Sequence, residues 1–144
     1  MQTKNLLVLF LFLALTSIGM GQVRISVSDL NGTTWKIKGS PTDDLCKYTS
    51  ERKVWYKKDG SIAFSYPYYL SDKPITSPKR AAFDYSKVGK GTKGCYMVSI
   101  NEKMGTVYCY RFQYFDKSDG LMETKLVTDK IIGMSYDTTY LLIK

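Results

Sequence analysis

Beyond residue 21, apolar side chains recur mostly at every second position, and no segment carries the 3.6-residue apolar period of an amphipathic helix. That alternation predicts half-buried β-strands. The first is short. A turn at Asn31-Gly32 leads into Thr33 to Lys38, with Trp35 and Ile37 on one face. A large aromatic on a first strand suits the plug about which a small barrel closes. Gly39 to Asp44 reads as a loop, and a short helix is expected near Asp43 to Tyr48. Two strands follow, Arg52 to Lys57 and Ser61 to Tyr69, joined by Lys58-Asp59-Gly60. Asp-Gly between β-rich runs predicts a two-residue type I′ turn, whose central residues both need positive φ. This register sets Trp55 opposite Phe64. Trp55, Ile62, Phe64 and Tyr66 then share the heavier face, which is assigned inward. Pro67, in the same run, marks an edge or a bend.

The strongest alternation runs from Cys95 to Val127. With a first loop centred on Glu102 and a second on Ser118, in the turn Asp116 to Gly120, three strands form a meander. Tyr96, Val98, Ile100, Tyr108, Tyr110, Phe112, Tyr114, Met122 and Leu126 then fall on one face. Between the two strand groups, Ser71 to Gly94 is loop-like, with one short strand expected within Arg80 to Tyr85. Its Gly-rich end, Val88 to Gly94, lacks the spacing of a phosphate-binding P-loop, and no helix pattern follows it. The final run, Ile131 to Lys144, reads as a turn and a buried last strand that pairs with the first and closes a barrel onto Trp35. The count is about eight strands. The fold class is all-β, an antiparallel up-and-down barrel.

The start of the chain does not belong to this pattern. Lys4 precedes an unbroken apolar run, Leu6 to Leu15, followed by small residues at Gly19 and Gly21. This predicts a secretory signal peptide over residues 1–21, cut before Gln22. The alternative is a membrane anchor, but the run is shorter than the about 20 residues a spanning helix needs. No cysteine lies near the cut, which argues against a lipid anchor and leaves a secreted or periplasmic protein. Of 144 residues, removal of 21 leaves 123, a suitable length for one domain over 22–144. The net charge falls from +8 to +7, because Lys4 is the only charge removed.

Charge and cysteines add two expectations. Lys73, Lys79, Arg80, Lys87, Lys90 and Lys93 stand against only Asp72 and Asp84, a local excess of +4. This loop is a candidate interaction surface for an anionic glycan or an envelope protein. Solubilising surface lysines are the plainer reading. Cys46, Cys95 and Cys109 are an odd number in a chain expected to be exported. The meander register sets Cys95 opposite Cys109, which predicts a disulfide between them. A bond from Cys46 to either, or three reduced buried thiols, are the alternatives.

The pattern resembles small secreted bacterial lipocalin-like (calycin-type) barrels. The resemblance rests on the apolar leader, on Gly32-Thr33-Thr34-Trp35 as a G-x-W-like start with one extra residue, and on the terminal unit Ile131 to Leu142. It implies a barrel with a central cavity for a small apolar or amphipathic ligand. Trp35, Trp55, Tyr66, Tyr96, Tyr110 and Phe112 are the side chains expected to line or floor that cavity.

Composition narrows the chemistry. The chain has no histidine, which removes Ser-His-Asp and Cys-His nucleophilic sites and most zinc sites. Its acids sit mostly in turns beside lysines, a poor arrangement for paired-carboxylate catalysis, and Asp116 to Gly120 is too poor in oxygen ligands for a calcium loop. The expectation is a non-enzymatic protein without cofactor or metal. Twelve Tyr, four Phe and two Trp follow residue 21. Tyrosine packs in a core and contacts ligands equally well. Basic residues among aromatics also suit single-stranded nucleic acid, but export argues against that partner.

Overall fold

The computed structural model describes residues 22–129 and 137–144. The expected leader, and residues 131–136 of the terminal unit, lie outside the described residues. The chain begins with β1 (Ile25–Ser26) and a single-turn helix α1 (Val27–Leu30). Then come β2 (Thr34–Ile37), β3 (Leu45–Tyr48), β4 (Arg52–Tyr56) and β5 (Ile62–Ser71). After a long strap come β6 (Lys93–Gly94), β7 (Tyr96–Asn101), β8 (Thr106–Asp116), β9 (Leu121–Leu126) and β10 (Asp137–Leu142). All but β1 and β6 form one closed, eight-stranded antiparallel barrel in which each strand pairs with the next in the chain. The barrel closes where β10 pairs with β2, with Leu142 opposite Trp35 and Tyr140 opposite Ile37. Closure leaves the wall no free edge. Among the described residues no helix is long and apolar enough to cross a membrane.

Lys47 pairs with Thr34 and Val54, which makes Leu45–Tyr48 a strand where a short helix was expected. Cys46 and Tyr48 point inward and are fully or almost fully buried, a period of two rather than 3.6. The helix lies earlier, at Val27–Leu30. Asp29 accepts hydrogen bonds from the Ser26 amide (2.8 Å) and hydroxyl (3.0 Å) at its start. Its buried Val27 and Leu30 belong to the same cluster as Trp35, so α1 plugs one end of the barrel.

The β4–β5 register holds from Arg52 to Trp55, with Trp55 opposite Phe64 and Lys53 opposite Tyr66, but beyond Trp55 it shifts so that Ile62 faces Tyr56 and turns outward instead of sharing the inward face. The turn is one residue longer than a type I′ loop. Lys57 N donates to Ser61 O (2.8 Å), and Gly60 takes φ 86° at the end of a three-residue loop. A bulge between Trp55 and Tyr56 absorbs the extra residue. Pro67 sits where β5 leaves β4 and begins to pair with β7.

The β7–β8 register differs from the expected one. Its loop is centred between Lys103 and Met104, because Asn101 pairs with Thr106. Cys109 therefore faces Val98, not Cys95, a slip of three residues. An odd slip exchanges the two faces of a strand. Met97 joins Tyr110 inside, while Tyr96, Val98 and Ile100 turn outward. The β8–β9 register is the expected one at Tyr110–Leu126, until a bulge between Phe112 and Tyr114 shifts it. Past that bulge Tyr114 is among the exposed aromatics, and its hydroxyl donates to Asp119 (2.6 Å).

The outward apolar face is dry because residues 72–92 cover it. Val98, Ile100, Val107 and Cys109 pack with Tyr69 and Phe83 in a second core. The strap carries two 3-10 turns, Arg80–Ala82 and Tyr85–Lys87, in place of the short strand expected there. Val107 N donates to Pro78 O (2.9 Å), and Asp129 N to Thr76 O (2.8 Å), which ties the strap to the wall. Its return pairs with β1, Ile25 opposite Gly94. A Cβ at Gly94 would overlap the Ser71 carbonyl, so only glycine fits that crossing.

Candidate functional site

The barrel is filled at one end and open at the other. Trp35, completely buried, donates its indole N–H to Thr33 Oγ1 (2.8 Å) and packs on Phe115 at 5.8 Å between ring centroids. Phe112, Met122, Tyr68 and Leu70 fill the same layer. Above them, toward the β4–β5 and β7–β8 turns, lies a cavity of about 480 Å³. That size falls within the range of small-molecule sites, about 300–1,000 Å³.

Trp55, Tyr66 and Tyr110 line this cavity, as expected from the strand faces. Trp35 and Phe112 lie beneath it, in the packed floor. Tyr96 lies on the opposite side of the wall, against the second core, because of the β7–β8 slip. Tyr108, Tyr140 and Phe64 complete the aromatic lining. Tyr66 stacks on Tyr108 at 6.1 Å, and Trp55 meets Tyr140 at 6.4 Å. Burial raises the phenol pKa values of Tyr110 and Tyr140, so both stay neutral hydrogen-bonding groups.

Lys53 is the only basic residue among the described residues that line the cavity. It is 3 % exposed, and its ammonium lies 4.8 Å from the centre of the Tyr110 ring. Burial pushes its pKa below the ordinary lysine value. Sequence reading passes over it, because lysine is normally placed outward. The signal was present in its neighbours: Lys53 is two residues from inward Trp55 and pairs with Tyr66.

The six basic residues of the strap are all exposed. Two of them have structural contacts. Arg80 donates to the Glu102 carbonyl (2.6 Å), and the Lys87 ammonium sits 5.5 Å over the Tyr69 ring. The expected Cys95–Cys109 disulfide is not formed, and all three cysteines are free and buried. Cys46 faces the barrel interior and Cys109 the second core, on opposite sides of the wall. Burial raises both thiols to about 11. Among the described residues, no three His, Cys, Asp or Glu side chains gather as metal ligands would.

Comparison of the chain with protein-family models, with curated proteins and with solved structures finds no match.

Proposed function

We propose that the protein is an exported, non-enzymatic barrel of the lipocalin kind that binds a small apolar or amphipathic ligand in the open half of its barrel. The observation that carries this reading is the aromatic-lined cavity of about 480 Å³ above a floor sealed by Trp35 and α1. A barrel built only as a scaffold gains stability from filling both ends. Here large side chains fill one end and leave the other wide enough for a guest. The alternative is contact with an anionic glycan or envelope protein through residues 73–93. It draws on exposed lysines alone, since the strap's apolar side chains are used in covering the wall. Titration with the neutral fluorophore N-phenyl-1-naphthylamine tests the ligand reading. Saturable emission enhancement with one site per chain is the expected result. Absence of saturable binding by the folded protein rejects it.

A further inference from the structure

The cavity wall contains a charge that the protein itself does not neutralise. All thirteen acidic residues of the chain lie among the described residues, and none forms a salt bridge with Lys53. Asp44 is the one carboxylate in the lining, and it sits partly exposed in the loop before β3. The face of Tyr110 is the only cation-binding contact of the Lys53 ammonium among the described residues. A ring face offsets part of the lost hydration of a buried cation and supplies no counter-charge. Burial also lowers the Lys53 pKa, so an anion beside the ammonium would favour its charged form.

Resting on the ligand reading above, we infer that the ligand is an acidic amphiphile: an apolar body that lies against Trp55, Phe64 and Tyr108 and ends in a carboxylate paired with Lys53. The charge count favours a monoanion. One lysine, with no arginine in the described lining, balances a carboxylate and leaves a phosphate dianion under-neutralised. The aromatic faces around it suit a hydrocarbon or aryl body and offer few fixed polar partners to a sugar.

The test uses dodecanoate, dodecanol and dodecylamine as competitors of N-phenyl-1-naphthylamine, on the wild-type protein and on Lys53→Met. The wild type is expected to bind dodecanoate about tenfold or more tightly than dodecanol, and dodecylamine most weakly. Lys53→Met should lose the preference for the acid and bind dodecanol at least as tightly as the wild type does. A wild-type-like circular dichroism spectrum and a cooperative urea-unfolding transition establish that the variant is folded. Equal wild-type affinity for acid and alcohol, or undiminished acid preference in Lys53→Met, overturns the inference and leaves cavity binding standing. Failure of the wild type to bind even the neutral fluorophore overturns the ligand reading and this inference together.

Discussion

The two ends of the barrel are made of the same strands and treat apolar side chains in opposite ways. Along β5, Tyr68 and Leu70 are 0 % and 2 % exposed at the closed end, while Ile62 and Phe64 are 59 % and 54 % exposed at the open end. The difference lies in what meets the strand ends. At the closed end, α1 delivers Val27 and Leu30 into the Trp35 layer. No comparable plug among the described residues reaches the open end, so its aromatics face a cavity. Polar groups follow the same division. The Trp35 indole N–H finds Thr33 within its own strand approach, whereas Lys53 has no acidic partner. Close packing is concentrated at one end and open volume at the other, an arrangement in which each end can be altered with little effect on the other.

The largest predicted effect tests the closed end. Trp35→Ala should cost about 3–5 kcal/mol in urea denaturation, the usual penalty for truncating a fully buried aromatic. A cost below about 1 kcal/mol would mean that Trp35 does not hold the floor. A smaller effect compares the two sides of the wall. Cys46 and Cys109 ionise near 11 in the folded protein against 9.0 for an unperturbed thiol, because burial penalises the thiolate on both faces. With the folded pKa raised, the unfolded chain loses its protons first, so stability falls as pH rises through the window 9 to 11. From pH 8 to pH 10 each thiol should remove about 1.3 kcal/mol. Cys46→Ala and Cys109→Ala should each restore that share of the loss, measured by denaturation at the two pH values. If only Cys46→Ala does so, the strap does not keep the outer core as dry as the barrel interior.

How far these features could be read from the sequence varies with the strand. The closed barrel, the Trp35–last-strand seam and the β4–β5 pairing up to Trp55 follow from alternation and turn residues, while the turn itself is one residue longer than Asp59-Gly60 predicts and a bulge takes up the difference. Strand β7 was harder. Tyr96, Met97, Val98 and Ile100 are apolar on both faces, because the barrel buries one face and the strap the other. Alternation cannot choose between faces that are both dry, and a loop centre misplaced by one and a half residues reversed them. The same misplacement sets Cys95 opposite Cys109 and Tyr96 in the cavity, and the observed register undoes both. Lys53 was hidden for the opposite reason. Its residue type says exterior, its position in the strand says interior, and position decides the direction of a side chain.

The open end makes the finest prediction, because it separates two residues that composition treats alike. Ile62 and Phe64 sit two residues apart on one strand and are both more than half exposed, yet Phe64 lines the cavity beside Trp55 while the bulge turns Ile62 outward with Tyr56. Exposed positions contribute little to folding, so Phe64→Ser and Ile62→Ser should each change stability by no more than about 0.5 kcal/mol. Only Phe64→Ser removes a ring from the cavity wall, and it should weaken N-phenyl-1-naphthylamine binding severalfold while Ile62→Ser leaves it unchanged. Equal losses from both would make the mouth a diffuse apolar patch in which position does not matter. A large destabilisation by Phe64→Ser would join the open end to the core and remove the division between the two ends, since a residue that both holds the fold and meets the ligand could not be altered for one without the other.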